Sequence, residues 1–353
     1  MLDEAFSLFP GGESGPRFGG AGLQMYTLAD ELSKNQNLDV CWLFNSTSEK
    51  IFPNTVTHER IKIYFARDVE SLNSLVCSDG SKVAISSIAA SAPMLLKRSK
   101  QIDAKTILRL ANDNDPYRPV PVPGYTSSEI LELMKSVDKF VVQNEWQQSK
   151  LHDSLKRDSR IIPSVLTFDG MAQPKKKEHI LWVASSQPLK QPWYFLDLAK
   201  SFPSEKFVML MPRTYTRTSD FVKLQAEFLP NLGLIDRQIP LSEVQDLFLR
   251  AKVFVNTSET EGFPNTFLQA WASMTPVLSL KVNPSEVLTK HNIGFCAQWS
   301  FAALKDDLTA VLGNESLQQE VTERAYAYLC SVHSPANVAK QWLSTILEVV
   351  NAA

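Results

Sequence analysis

The sequence predicts an α/β protein made of two doubly wound, Rossmann-like domains. Short apolar, β-rich runs alternate with amphipathic segments, which is the pattern of a parallel sheet with helices on both faces. A polar, basic break at residues 173–179 interrupts this alternation, and the rhythm restarts after it. The chain has 353 residues, which is enough for about two domains of ordinary size.

In the first half of the chain, strands are predicted at residues 40–44, 82–86, 106–110 and 139–143. Helices are predicted over residues 22–35 and 128–136, because apolar residues recur there every three or four positions. We expect residues 1–164 to form the N-terminal domain.

The second half repeats the pattern, with strands predicted at residues 179–184, 206–210 and 253–257 and helices at 192–200 and 241–250. We expect residues 165–334 to form the C-terminal domain. Residues 335–353 are predicted to form a last helix that packs back across the N-terminal domain. The basic run Lys175–Lys177 is interpreted as a solvated linker, with contact to an anionic membrane as the weaker alternative.

Composition excludes several classes of protein. Apolar residues make up 44% of the chain and charged residues 21%, as in a globular protein, and the formal charge of −2 gives no basis for nucleic-acid binding. No apolar run approaches the ~20 residues of a membrane-spanning helix, and the first residues do not resemble a signal peptide. The four cysteines are scattered (Cys41, Cys77, Cys296 and Cys330). They are interpreted as reduced thiols of a cytoplasmic protein.

The run from Glu261 to Gln269 carries the clearest functional signal. It follows a predicted strand and opens a predicted helix, and ligands of open α/β sheets bind at the carboxyl ends of strands. The backbone N–H groups of Asn265 and Thr266 at the helix start suit a diphosphate. Glu261 can accept hydrogen bonds from sugar hydroxyls, and Gly262 lets the backbone approach a ligand closely. Gln269 lies one turn further on the same face.

Two other patterns have competing explanations. The segment Thr266–Gln269 also matches a capping box, in which both side chains satisfy the N–H groups of their own helix. The run Asp113-Asn-Asp115 has the form of a metal motif, but acidic and amide residues before Pro116 are also typical of a turn. Asp113 is predicted to be a residue on the acceptor side rather than a metal ligand.

The segment Ser258–Ala272 resembles the donor-site segment of GT-B glycosyltransferases, especially glycosyltransferase family 4. That family carries a Glu-x7-Glu motif here, whose first Glu faces the transferred sugar and whose second Glu holds the ribose. Glu261 matches the first, and Gln269 stands where the second is expected. The resemblance spans most of the chain and is strongest from about residue 179 to 295.

Two further segments are similar to the family. The run Gly19-Gly-Ala-Gly22 resembles its N-terminal glycine loop, which approaches the donor from the opposite domain. The dinucleotide-binding alternative is disfavoured, because the polar stretch 11–17 stands where that fingerprint needs a strand. Residues 179–190 resemble the strand and loop that carry an Arg and a Lys on the diphosphate. Lys190 matches the Lys, and Ser185 stands in place of the Arg. The family often has a His in the N-domain, and the corresponding residues 86–93 contain none.

The resemblance implies a GT-B fold with an active site in the cleft between the domains and a retaining transfer of a hexose. Glu261 and Lys190 are the catalytic candidates. The donor-binding candidates are Gly19, Gly20, Gly22, Ser185, Lys190, Glu261, Gly262, Phe263, Pro264, Asn265, Thr266 and Gln269. No cofactor or metal is expected. The donor would be a UDP- or GDP-linked sugar, and the acceptor a glycan, a lipid-linked sugar or a small molecule.

The basic cluster Lys97-Arg98-Lys100 adds peripheral contact at the inner face of the membrane as an option. The departures from the family leave two alternatives open. One is a degenerate GT-B scaffold that binds a nucleotide sugar or a partner without turnover, and the other is a GT-B sugar-nucleotide epimerase.

Overall fold

The computed structural model describes residues 20–45, 55–58, 61–66, 83–87, 92–99, 103–122, 124–168 and 175–352. Contacts divide the chain into two compact units. The N-terminal unit combines residues 1–167 with residues 333–353, and the C-terminal unit comprises residues 168–332.

The first half of the chain contributes four helices and seven strands among the described residues. In chain order they are α1 (Gly20–Ser33), β1 (Cys41–Asn45), β2 (Thr55–His58), β3 (Ile61–Ala66), β4 (Val83–Ser87), α2 (Ala92–Ser99), β5 (Lys105–Arg109), α3 (Ser127–Met134), β6 (Lys139–Val142), α4 (Glu145–Leu155) and β7 (Ser159–Ile161). Strands β4, β5, β6 and β7 form a parallel sheet in that order. A second sheet has the order β1-β3-β2, in which β2 is antiparallel.

The second half continues with β8 (His179–Val183), α5 (Pro192–Ser201), β9 (Phe207–Leu210), α6 (Thr216–Ala226), β10 (Leu232–Ile235), α7 (Leu241–Leu249), β11 (Ala251–Asn256), α8 (Asn265–Ala272), β12 (Val277–Ser279), α9 (Val287–Lys290), β13 (Phe295–Cys296), α10 (Phe301–Leu312), α11 (Glu315–Val332) and α12 (Pro335–Asn351). Short 3-10 turns at Pro188–Lys190 and Pro284–Glu286 interrupt the loops after β8 and β12.

The sheet β4–β7 of the N-terminal unit is covered on both faces. Ile107 of β5 packs with α1 and α12, whereas its neighbour Leu108 packs with α2, α3 and α4. Successive side chains of a strand point to opposite faces, so each strand supplies both layers. The last helix, α12, buries Val338, Trp342 and Ile346 in this unit.

The C-terminal unit contains a six-stranded parallel sheet with the order β10-β9-β8-β11-β12-β13. Helices α5, α6 and α10 cover one face, where Val253 and Val255 of β11 are buried. Phe254 points to the other face and contacts Phe248 of α7 and Phe267 of α8, with ring centroids 5.2 and 6.5 Å away. The strand order reverses between β8 and β11, which is the point where doubly wound sheets bind ligands.

The predicted helices and strands end within a few residues of the observed ones, as expected for boundaries read from local patterns. Strands β2 and β3 lie outside the predicted set, and their antiparallel pairing departs from the all-parallel expectation for the first half. Across the part of the chain that the structure describes, no helix has the length and apolar content needed to cross a bilayer.

Candidate active site

Two loops of the C-terminal unit meet where the strand order reverses. The first follows β8 and ends in the 3-10 turn Pro188–Lys190, and the second connects β11 to α8. The amide of Glu259 in the second loop donates to the carbonyl of Leu189 in the first, at 2.8 Å. Their main chains are therefore joined beside the carboxyl ends of both strands.

Lys190 and Glu261 form an ion pair between these loops. Lys190 Nζ donates to Glu261 Oε1, although the two residues are 71 positions apart in the sequence. Only 16% of the Lys190 side chain and 19% of the Glu261 side chain is exposed, so the pair is shielded from most of the solvent. Ser258 Oγ donates to the same Glu261 oxygen at 2.8 Å. The structure thus brings together both residues that the sequence predicts as catalytic.

A buried threonine fixes the position of Lys190. Thr257 Oγ1 accepts a hydrogen bond from Trp182 Nε1 and donates one to the Lys190 carbonyl, both at 2.8 Å. Thr257 has no exposed surface, and Trp182 is 1% exposed. Neither Thr257 nor Ser258 is among the site residues that the sequence predicts. The available signal was Trp182 in a buried strand, because an indole N–H in the core needs an acceptor.

Helix α8 begins at Asn265, two residues earlier than a capping box at Thr266–Gln269 would allow. The cap residue is Pro264, with φ of −64°, and no side chain caps the helix there. Thr266 is the second helical residue, so the capping box at Thr266–Gln269 does not form. Proline is pre-organised for a helix start, which explains the shift. The positive end of the helix dipole therefore lies beside the loop that carries Glu261.

The apolar residues of α8 hold this helix end in place. Phe267 and Trp271 are fully buried, and the Phe263 ring packs edge-on against both, at 6.5 and 6.1 Å. Asn265, Thr266 and Gln269 are partly exposed, while Gly262 and Pro264 are buried. The loop is thus anchored by Phe263, and its polar residues remain accessible.

The two serines after β8 differ in role. Ser186 is fully buried, and its hydroxyl accepts from the amides of Thr214 and Tyr215 at 2.9 and 2.7 Å. It therefore fixes the loop after β9, whereas Ser185 is partly exposed. Arg213, which follows β9, forms a 3.0 Å ion pair with Asp220, and both side chains are more than half exposed.

The remaining candidates lie in the N-terminal unit. Gly20 and Gly22 occupy the first turn of α1, and Gly19 lies outside the described residues. Asp113 Oδ1 accepts from Asn144 Nδ2 at 2.9 Å, and Asn144 caps α4. Asp115 accepts from the amides of Ala111 and Asn112. No cluster of three or more His, Cys, Asp or Glu residues able to hold a metal occurs within the described ranges. Lys97 Nζ lies 4.7 Å from the centroid of the Tyr125 ring.

Residues 170–328 match the family model of the glycosyl transferases group 1. The match covers nearly all of the C-terminal unit, so this unit resembles a group 1 glycosyl transferase domain. The resemblance to GT-B glycosyltransferases is confirmed, and family 4 is compatible with it.

Solved structures show the same α/β fold. Sucrose-phosphate synthase from Thermosynechococcus elongatus is similar at a TM-score of 0.79 and 14% identity, over 96% of this chain and 95% of that one. HepE from Anabaena, solved with UDP and glucose, is similar at 0.73 and 12% identity, over 94% and 96%.

TarM from S. aureus, solved as a mutant with fondaparinux, α-GlcNAc-glycerol and UDP, is similar at 0.65 and 16% identity. That match covers 80% of this chain, which spans only 58% of TarM. The comparison with curated proteins gives no match. These structures confirm the predicted GT-B fold class.

Proposed function

We propose that the protein is a retaining glycosyltransferase that moves a hexose from a nucleotide sugar to a hydroxyl acceptor. One observation carries the proposal. Lys190 and Glu261 meet at the reversal of the strand order, beside the start of α8, in a unit that matches the group 1 family. A cation and a helix N-terminus suit a diphosphate, and a carboxylate beside them suits the sugar hydroxyls.

The leaving group determines what the site must do. A nucleoside diphosphate gains negative charge as the glycosidic bond breaks, and fixed positive groups stabilise that charge. Lys190 and the amides of Asn265 and Thr266 would supply them without a metal ion. The diphosphate competes with Glu261 for Lys190. Binding would therefore release Glu261 towards the sugar, with Ser258 still bonded to it. Retention of configuration is what the family resemblance implies.

UDP sugars are the donors to test first, since HepE and TarM were both solved with UDP. GDP is the alternative. The acceptor would be a hydroxyl of a glycan, a lipid-linked sugar or a small molecule. Asp113, the acceptor-side candidate, remains a prediction.

A non-catalytic sugar-nucleotide binder is the second candidate. Ser185 and Gln269 replace two groups that the family uses on the donor, and Lys190 is engaged by Glu261. Ser185 and the pairing of Lys190 lower the stabilisation available to a leaving diphosphate, and Gln269 weakens the contact to the ribose.

The test compares Glu261→Gln with Glu259→Gln. Glu259 lies in the same loop but is exposed, so it is a matched control. We expect the wild type to release UDP or GDP from its sugar nucleotide. Glu261→Gln should lower turnover by roughly a hundredfold or more, as removal of a transition-state contact does. Its affinity for free UDP should not fall, because Lys190 loses its competing partner.

Glu259→Gln should retain wild-type turnover. Activity of Glu261→Gln equal to wild type would show that the donor site is wrongly placed. Absence of nucleoside diphosphate release from all UDP and GDP sugars, with or without acceptors, would favour the non-catalytic binder.

A further inference from the structure

Arg109 is a buried cation in the N-terminal unit that forms no ion pair with any described residue. It is the last residue of β5 and is 4% exposed. Its Nη2 donates to Ser164 Oγ at 2.9 Å. Among the described residues, this is its one hydrogen bond, and no carboxylate lies within ion-pair distance. A guanidinium has five N–H donors, so most of its hydrogen-bonding capacity is unused.

Ser87 lies beside Arg109, and its hydroxyl is buried without a hydrogen bond. The two residues are paired in the register of β4 and β5, so their side chains point to the same face of the sheet. Ser87 is 4% exposed. Its Oγ has no hydrogen-bond partner within the part of the chain that the structure describes. Buried polar groups are nearly always paired, so an unpaired hydroxyl beside a guanidinium with one hydrogen bond indicates room for a ligand.

Asp115 attracts the Arg109 charge without forming an ion pair with it. Ser164 Oγ donates onward to Gln143 Oε1 at 3.2 Å, and both groups are uncharged. The Asp115 carboxylate accepts hydrogen bonds from the amides of Ala111 and Asn112, at 2.7 Å each. Burial lowers the pKa of Arg109 to about 10 and raises the pKa of Asp115 to about 6.

The position of the two residues suits a ligand. Arg109 and Ser87 end β5 and β4, and open α/β sheets bind ligands at the carboxyl ends of their strands. A buried charge without an ion pair is costly, and an anion between the guanidinium and the hydroxyl lowers that cost. The planar guanidinium matches carboxylate and phosphate oxygens through two parallel N–H bonds.

We propose that Arg109 and Ser87 form an oxyanion site that receives the phosphate or carboxylate group of the acceptor substrate. The assignment to the acceptor rests on the proposed function. The oxyanion site itself does not, because inorganic phosphate offers the same chemistry.

The variant Arg109→Met separates a ligand site from a structural role. Replacing an unpaired buried charge with an apolar side chain of similar length is neutral or stabilising, whereas removing a structural hydrogen-bonding hub is destabilising. In anion-free buffer we expect the Tm of Arg109→Met to equal or exceed that of the wild type. Inorganic phosphate and glucose 6-phosphate should raise the Tm of the wild type at constant ionic strength, since a ligand of the folded state stabilises it.

The rise in Tm that phosphate and glucose 6-phosphate cause should be absent in Arg109→Met and smaller in Ser87→Ala. Arg160→Met is the matched control, because Arg160 lies on β7 of the same unit and its contacts are Ser344 and Glu348. This control should keep the wild-type response. The proposal is overturned if Arg109→Met has a lower Tm than the wild type without added anions. It is also overturned if neither phosphate nor glucose 6-phosphate changes the Tm of the wild type.

The acceptor assignment has its own readouts. A larger shift with glucose 6-phosphate or glucuronate than with inorganic phosphate supports an acidic sugar as the ligand. In a working transfer assay, Arg109→Met should raise the KM for an anionic acceptor about tenfold or more while leaving the KM for the donor unchanged. A shift with inorganic phosphate alone overturns the acceptor assignment. Because the Tm readout needs no turnover, loss of the proposed function and failure of this site are distinguishable.

Discussion

At the scale of single residues, the donor site combines one formed pair with two substitutions. Lys190 and Glu261 are in contact, whereas Ser185 and Gln269 differ from the residues that the family resemblance leads one to expect. A carboxylate accepts from two ribose hydroxyls, while an amide has one acceptor oxygen and adds a donor. We therefore expect the chemistry of Gln269 to affect donor affinity without determining the fold.

The variant Gln269→Glu tests this directly. Gln269 is partly exposed on α8, so the change is sterically small and leaves the core untouched. We expect donor affinity to rise by about tenfold, corresponding to roughly 1–2 kcal/mol for one charge-assisted hydrogen bond. Calorimetric titration with the donor measures it. Gln225→Glu, on α6, makes the same charge change elsewhere in the unit and should have no effect. Unchanged or weaker binding by Gln269→Glu would show that residue 269 does not contact the ribose.

At the scale of elements, the site depends on how two loops are tied together. Thr257 joins Trp182 of β8 to the carbonyl of Lys190, so a buried hydroxyl at the end of β11 positions a side chain in the other loop. Pro264 sets the start of α8, and Phe263 anchors the loop before it. The polar groups of the site are thus held by buried contacts that do not themselves face a ligand.

The variant Thr257→Val should weaken donor binding by about tenfold, because the Lys190 carbonyl loses its donor and the turn becomes free to shift. Thr275→Val is a close control. Thr275 is also fully buried, accepts from Lys177 Nζ at 3.0 Å and donates to the Phe248 carbonyl at 2.8 Å. It lies before β12, away from the two site loops.

Both variants should lower the free energy of unfolding by a similar amount, about 1–3 kcal/mol. Only Thr257→Val should change UDP affinity, and Thr257→Ser should restore it. Urea unfolding and calorimetric titration give the two quantities. Equal effects of Thr257→Val and Thr275→Val on UDP affinity would contradict a positioning role.

At the scale of the whole molecule, the N-terminal unit is completed by residues 333–353. The chain leaves this unit after Thr167 and returns to it at His333. There the Leu166 amide donates to the His333 carbonyl at 3.3 Å, and His333 Nδ1 lies 2.6 Å from the Ser164 carbonyl. His333 is 1% exposed, so the return of the chain is buried.

Burial lowers the pKa of His333 from 6.5 to about 4. Between these values the unfolded chain binds a proton that the native protein does not, so acidification favours unfolding. The stability that His333 contributes is therefore present above pH 6.5 and is lost as the pH falls towards about 4. A lowering of the His333 pKa by two to three units corresponds to roughly 3 kcal/mol in the free energy of unfolding.

The measurement compares the wild type with His333→Asn, whose amide nitrogen can replace Nδ1. Asp115 titrates in the opposite sense, because its raised pKa favours the native state as the pH falls through about 6. The contribution of Asp115 cancels in the difference between the unfolding free energies of the wild type and His333→Asn. The stability advantage of the wild type, from urea unfolding, should shrink between pH 7 and pH 4.5. A constant difference would show that His333 is not held neutral by burial.

Local patterns were sufficient to predict much of this protein from its sequence. Spacing of two, three and four residues marks strands and helices, and it predicted β8, β9, β11, α5 and α7 of the C-terminal unit but not β10, β13, α6, α10 or α11. Motif resemblance identified Lys190 and Glu261. The capping-box alternative was wrong because Pro264 starts the helix early, a competition that the spacing of Thr266 and Gln269 does not reveal.

The sequence by itself determined the alternation of strands and helices and the chemistry available at each strand end. Only the tertiary structure decided which strand ends are neighbours. Lys190 and Glu261 meet because β8 and β11 pair in the sheet, and Ser87 lies beside Arg109 because β4 pairs with β5. The physical reason is that strand order depends on burying both faces of a sheet beneath helices from distant parts of the chain, a constraint that no local pattern contains.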